Sequence, residues 1–326
     1  MTEHNRYSTS VVVCTYSERR WESLCTVIEA LQTQTLSPTE IIIIVDHNPR
    51  LYERVRQQWP HLHVIENTYW RGAGGARNSS FAAVTSEIVA YLDDDAVPAP
   101  DWLESLRACY DEPETVGVGG AIEPNWSGKA PKWFPEEFHW VVGCTYLGMP
   151  SELAPVRNLI GANMSFRRET LLHTGYFRKD LGRVDTLPVG CEETEYCIRI
   201  HQQQPNAVLL YQPAAKVQHF VPVSRSQLGY FCSRCYFEGR SKARVSRIVG
   251  PQDGLDTERS YLLTLARGVL RGIKDTVRGD VYGAMRSGAI VLGLAITTVG
   301  YVNGIVLDYV RRYQPADPAP VKQSIL

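Results

Sequence analysis

Two carboxylate clusters carry most of the chemical potential of this 326-residue sequence: Asp93, Asp94 and Asp95 in EIVAYLDDDAVPAP, and Glu192, Glu193 and Glu195 in GCEETEYC. Adjacent acids raise one another's pKa unless a positive charge sits among them. Along an extended chain alternate side chains share a face, so Asp93 and Asp95 point one way and Asp94 the other. Two carboxylates on one face can hold a hard divalent cation, Mg²⁺ or Mn²⁺, with positions open for substrate phosphates, while the third accepts from a sugar hydroxyl. A solvated acidic turn is the plain alternative, weakened here because the cluster closes a strand. The glutamates open a helix, whose N-terminal dipole favours negative charge. That explains one Glu comfortably and three less well.

These acids need a frame, and the first hundred residues supply one. Ser10–Cys14 is a short β-rich run, followed by helical spacing at Trp21, Leu24, Val27, Ile28 and Leu31. Glu40–Val45 (EIIIIV) is a continuous branched run, as in a parallel strand covered on both faces, and DHNP ends it. Leu62–Ile65 and Glu87–Leu92 read as further strands, with the glycine-rich RGAGGARNSSFAAVTS turning into a helix between them. This rhythm predicts right-handed βαβ units, with ligands bound beyond the strands' carboxyl ends. Thr15, Tyr16, Asp46 and Asp93–Asp95 should converge there. Residues 112–160, rich in Pro, Gly and Trp, read as loops over the sheet. GANMSFRRETL gives a strand and a short helix, CEETEYCIRIHQQ a helix, and Val208–Tyr211 and Lys216–His219 two short strands. From residue 226 only helices are expected.

A net charge of -1 excludes the basic footprint of a general nucleic-acid binder. Charge is uneven, however: between Arg225 and Arg286 stand 12 Lys/Arg against 6 Asp/Glu. That excess suits an anionic ligand or the anionic face of a membrane. Gly288–Leu307 carries no charge for 20 residues, between Arg286 and Asp308, Arg311 and Arg312. A span, an interfacial helix and a packing or dimer helix all stay open, so a homo-oligomer does too. Interfacial association through 260–312 ranks first, because the basic amphipathic SYLLTLARGVLRGIKDTVR precedes it. The polar opening MTEHNRYSTS predicts no secretory signal. The 8 cysteines are scattered, and the lone CxxC, Cys232 and Cys235, lacks a second ligand pair. Reduced thiols are expected, in the cytoplasm, at the cytoplasmic face of the inner membrane.

The stretches VVVCTYSERRWESLCTVIEAL, IIIIVDHNP, GARNSSFAAVTSEIVAYLDDDAVPAPDWL, NLIGANMSFRRETL, GCEETEYCIRI and KVQHFVPVSRS follow one another as in inverting family 2 glycosyltransferases. The resemblance spans residues 10 to 240 and points to the bacterial cell-envelope or polysaccharide type. It implies an α/β fold, the GT-A nucleotide-diphospho-sugar transferase fold, over residues 1–225, with an all-helical extension over 226–326. It further implies that Thr15 and Tyr16, with Glu18 nearby, face the nucleoside and that Asp46 accepts from the base. Asp94 would meet the ribose, and Asp95, Asp93 and His219 would hold Mn²⁺ or Mg²⁺. Arg77 would touch the donor or brace the acids. RGAGGARN lacks the G-x-G-x-x-G spacing, so a dinucleotide site is not implied.

By the same resemblance Glu193 is the catalytic base, standing where an Asp is more usual, with Glu192 as the other candidate. Asn163 would line the sugar side, with Trp126 and Trp133 as candidate stacking rings. The reaction implied is a single in-line displacement: the base takes a proton from an acceptor hydroxyl as its oxygen attacks the anomeric carbon of a nucleotide-diphospho-sugar. A glycan or lipid-linked acceptor fits. The alternatives are a sugar-phosphate nucleotidyltransferase, against which CTYSERRW lacks any glycine, and a non-catalytic nucleotide-sugar-binding scaffold.

Overall fold

The structure, a computed structural model, describes residues 7–182, 190–250 and 258–313. Residues 1–6 of the polar opening and the side chains of Asp308, Arg311 and Arg312 lie outside this description. The chain runs β1 (Thr9–Thr15), α1 (Trp21–Gln32), β2 (Glu40–Val45), α2 (Pro49–Gln58), β3 (His63–Glu66), α3 (Ala73–Ser80), β4 (Ile88–Asp93), β5 (Ala96–Pro98) and α4 (Trp102–Arg107). It continues β6 (Thr115–Trp126), β7 (Ala154–Pro155), β8 (Asn163–Arg167), α5 (Arg168–Thr174), α6 (Glu192–Gln203), β9 (Val208–Val221), α7 (Leu228–Val249), α8 (Glu258–Val277) and α9 (Val281–Tyr313).

Among the described residues the strands form one sheet, in the order β3-β2-β1-β4-β8-β6-β9-β5, with β7 paired to β9. β1 is parallel to both β2 and β4, so successive βαβ units run in opposite directions from it. Such a reversal opens a crevice at the strands' carboxyl ends. Val11–Val13 and Ile42–Val45 are fully buried, as expected of strands covered on both faces. Leu24, Val27, Ile28 and Leu31 of α1 are buried at the predicted spacing, each worth about 1.5–3 kcal/mol of transfer free energy.

Two sequence expectations fail here. The 112–160 region is not loop alone, since β6 takes 12 of its residues and pairs with β8 and β9. Its glycines hide the strand pattern because neighbours fill the side-chain space: a Cβ on Gly120 would stand 1.9 Å from the Ala215 carbonyl oxygen. The two short strands at 208–219 are one strand of 14 residues, β9. The QPAA segment that reads as a break only shifts the register against β6, between Gly120 and Ile122.

The remaining helices pack on one another and on the sheet. α7 and α9 approach so closely that a Cβ on Gly239 would meet the Thr297 carbonyl at 2.0 Å, and one on Gly300 the Tyr236 carbonyl at 2.1 Å. The outer face of α9 presents Val291, Leu294, Val299, Val302, Ile305 and Val306 to the surroundings. Small residues face inward and large apolar ones outward, the reverse of a soluble amphipathic helix. Val281–Leu307 is, by length and composition, sufficient to cross a membrane.

Candidate active site

A cavity of about 750 Å³ opens where β1, β2 and β4 end, lined by Thr15, Tyr16, Asp46, Arg77 and the three aspartates, with Glu192, Glu193 and His219 on its other walls. Residues up to 204 positions apart in sequence thus meet at one place, as the strand-end argument requires.

The end of β4 sorts the aspartates. Asp94 is buried and accepts from the Thr15 hydroxyl at 2.7 Å and from Arg20 at 2.5 Å. The other nitrogen of Arg20 reaches Asp95 at 3.0 Å. Burial pushes Asp94 up to about 6 against the pull of Arg20. Burial also works to raise Asp95, but His219 and Arg20 outweigh it and hold that carboxyl below the usual carboxylate range. Arg20, the last residue of the short helical turn after β1, is not among the residues expected from the sequence. The signal was available: a triple Asp at one strand end demands a cation, and SERR follows the neighbouring strand.

A metal fits this site by its donor set. Ligand atoms of Asp93, Asp95 and His219 all lie within 4.8 Å of one another. Asp95 Oδ1 is buried without a hydrogen-bond partner, although His219 Nε2 stands 3.4 Å away. A buried, unpaired carboxylate oxygen is costly unless something cationic completes it. His219 is carried on β9 opposite Ala96 of β5. Cys144 Sγ lies 3.7 Å from its Nδ1, leaving Nε2 turned toward Asp95.

The second acid cluster is also sorted by one arginine. Arg77, on α3 and almost wholly buried, reaches Glu192 at 3.4 Å, Asp93 at 3.8 Å and the Gly161 carbonyl at 3.1 Å. It braces both clusters. Glu193 lines the cavity, with the charge of Arg77 acting on it from nearby. Desolvation first, and the Glu192 charge second, push it from 4.5 up to about 8. Cys191, before them, sits in the left-handed region at φ 71, a strained conformation of the kind found at functional sites. Asp46 takes the Gly72 N–H at 2.8 Å, the Asn67 amide at 2.6 Å and the His47 ring at 2.8 Å, and still lines the cavity.

Four expected contacts are not there. Asn163 is fully buried outside the cavity, accepting from Trp102 Nε1 at 2.8 Å and donating to the Ala121 and Ala215 carbonyls. It ties β8 to β6 and β9. Glu18 is exposed on the turn after β1 and does not line the cavity. Trp126 and Trp133 pack instead around Phe134, with Trp133 also against Phe231. The aromatic residues that do line the cavity beside Tyr16 are Trp140 and Tyr230, joined by Arg225 and Arg234. Long sequence separation hid these.

The family described as Glycosyl transferase family 2 matches residues 10–174. The glucosyl-dolichyl phosphate glucuronosyltransferase of Haloferax volcanii is 34% identical over 303 residues, covering 91% of this chain and 96% of the relative. The pre-mycofactocin glycosyltransferase of Mycobacterium tuberculosis is 29% identical over 186 residues, 57% of this chain and 37% of that one. Among solved structures, the mannosyltransferase PcManGT of Pyrobaculum calidifontis, in complex with GDP-Man and Mn²⁺, superposes with a TM-score of 0.55 at 16% identity over 90% of this chain and 87% of its own. That likeness supports the GT-A architecture. With the family match over residues 10–174 and a relative matched along nearly its whole length, the chain belongs to glycosyl transferase family 2 and is a glycosyltransferase.

Proposed function

We propose that this transferase is metal-dependent and inverting, moving a sugar from a nucleotide-diphospho-sugar to a hydroxyl on a lipid-linked acceptor. The observation that carries this is the buried Oδ1 of Asp95, which accepts no hydrogen bond and lies with Asp93 and His219 in the same cavity as Glu193. Two carboxylates and an imidazole favour Mn²⁺ over Mg²⁺. Bound there, such a cation supplies a Lewis acid for the charge that develops on the leaving diphosphate. Asp94, fixed by Thr15 and Arg20, orients its remaining lone pairs toward a ribose hydroxyl, and Asp46 receives the base N–H beside Tyr16. Arg225 also lines the cavity, where its charge already acts on Asp95, and it would offer that charge to the diphosphate.

Glu193 removes the acceptor proton as the acceptor oxygen attacks in line, and its raised pKa suits a base working near neutrality. Glu192, held by Arg77, keeps the neighbouring negative charge in place. No covalent sugar intermediate is needed, so an α-linked donor gives a β-linked product. Residues 1–225 form the transferase domain, and residues 226–326 attach it to an anionic membrane face, α8 at headgroup level and α9 with its apolar face among the acyl chains. The Haloferax relative, named for a dolichyl phosphate-linked acceptor, supports that reading.

A panel of nucleotide sugars, assayed for transfer and for donor hydrolysis with Mn²⁺, tests it. Glu193→Gln should retain donor binding and lose turnover, and Asp95→Asn should lose Mn²⁺-dependent binding. Full turnover in either variant would refute the assignment.

A further inference from the structure

We propose that Trp140, Tyr230 and Arg234 form the acceptor subsite, and that it takes a sugar carried on a phosphate ester. This rests on the transferase reading above and adds the substrate class. All three residues line the cavity that also holds Glu193. Arg234 stands next to the base: its Nη2 lies 3.2 Å from where a Cβ on Gly190 would be, three residues before Glu193. A ligand held by Arg234 therefore has its sugar within reach of Glu193.

The chemistry of the wall is specific. Arg234 gives one nitrogen to Glu238 at 2.8 Å, and Glu238 also accepts from the Cys191 thiol. Arg234 lines the cavity as well, its guanidinium carbon 5.8 Å from the centre of the Trp140 ring. A guanidinium beside an aromatic ring and a phenol matches a phosphate joined to a sugar: the fork takes two phosphate oxygens, and the rings cover the sugar's C–H face. Glu238 compensates the guanidinium in the free protein, so the subsite can lie partly buried without a ligand.

Its attachment indicates the direction of entry. Trp140 Nε1 donates to the Tyr261 hydroxyl at 2.8 Å, and Tyr261 donates to the Glu137 carbonyl at 2.7 Å. Tyr261 lies on α8, whose outer surface pairs Leu262, Leu263, Leu270 and Ile273 with the basic residues Arg267 and Lys274. One face of α8 therefore holds the stacking ring while the other offers an apolar and cationic surface. A phosphate ester borne on a lipid would arrive along this helix. A free sugar phosphate would satisfy the same contacts from solution.

Calorimetry on the full chain distinguishes these. Binding of UDP and GDP with Mn²⁺ is measured first, and then binding of three probes to the nucleotide-loaded protein: glucosyl citronellyl phosphate, glucose 1-phosphate and octyl glucoside. The phosphate ester should bind, and octyl glucoside about tenfold more weakly or worse, the scale of one lost bidentate charge-assisted contact. Arg234→Gln/Glu238→Gln, which leaves no buried charge unpaired, and Tyr230→Ala should each weaken the ester about tenfold with nucleotide affinity unchanged. Arg234→Lys, which keeps the ion pair and loses the fork, covers a double variant that fails to fold: it should weaken the ester and leave the glucoside alone. Prenyl ester binding tighter than glucose 1-phosphate assigns the lipid-borne source, and equal affinities the free one. Ester affinity unchanged in the variants, or equal to that of octyl glucoside, or absent while nucleotide binds, overturns the subsite and leaves the transferase reading standing. Failure of every nucleotide to bind overturns that reading and the subsite with it.

Discussion

Arg20 and Asp94 meet at 2.5 Å, and the same guanidinium extends to Asp95 at 3.0 Å, so one cation is shared by two adjacent buried carboxylates. The repulsion inherent in LDDD is therefore met first by the protein itself. Arg20 occupies Asp95 Oδ2 and leaves Oδ1 for something else, while Tyr16 lies beneath the guanidinium at 5.0 Å.

Removing this cation should be expensive. Arg20→Ala strands two buried acids, and breaking a buried pair from one side costs about 3–5 kcal/mol. Urea denaturation should show a loss of that order, with Mn²⁺ recovering more stability in the variant than in the parent, because a ligand of the folded state adds stability. Equal Mn²⁺ stabilisation of both proteins would mean that Arg20 and the metal do not share the task of neutralisation.

Glu193 sets a pH dependence whose sign follows from its shift. Its folded value of about 8 lies above the ordinary 4.5, so folding favours the protonated form. That contribution to stability is complete below pH 4.5 and is lost as pH rises through about 8. Thermal scans should show a decline over this window that flattens in Glu193→Gln. Turnover has the opposite sense, since the base must be deprotonated: kcat/KM should climb toward a plateau above about pH 8. A profile flat down to pH 6 would remove Glu193 from the role of base.

The residues that the sequence reveals are those whose position is fixed locally. Thr15, Asp46 and Asp93–Asp95 follow directly from strands with unmistakable branched runs, and Glu193 from a helix start. Asn163 misleads because its motif lies at a strand's beginning, where the backbone aligns it with the cavity while its side chain turns into the sheet. Arg234 and Trp140 could not be placed at all. They reach the cavity only because β6 and β9 pair over their whole length and seat α7 beside the helical segment at 136–142, a non-local outcome of packing. Glycine masks β6 for the same reason: close packing, not flexibility, selects it there.

The corrected role of Asn163 can be measured. Asn163→Ala leaves Trp102 Nε1 without its acceptor and two strand carbonyls without a donor. Buried unsatisfied groups of this kind cost about 1–3 kcal/mol each. The variant should lose several degrees of thermal stability while its donor KM, measured at a temperature where it remains folded, stays that of the parent. A selective rise in donor KM without loss of stability would return Asn163 to the sugar side.

The outer face of α9 makes the last prediction. Val299, Val302 and Ile305 are more than half exposed or close to it, at 60%, 54% and 50%. A contiguous row of such residues in water favours a partner that is itself apolar. A bilayer and a second copy of the chain both qualify, and charge separates them: Arg267 and Lys274 are exposed on α8 and Arg278 just past its end, adding about 1 kcal/mol each at an anionic surface and opposing self-association of two like faces. In flotation, the protein should rise with vesicles containing phosphatidylserine and much less with phosphatidylcholine alone. Val299→Glu/Val302→Glu should stay at the bottom of either gradient, since carboxylates in the acyl region are costly, and Arg267→Glu/Lys274→Glu should lose the preference for anionic lipid. A lipid-free dimer in light scattering, made monomeric by Val299→Glu/Val302→Glu, together with no flotation, would assign this face to the second copy instead.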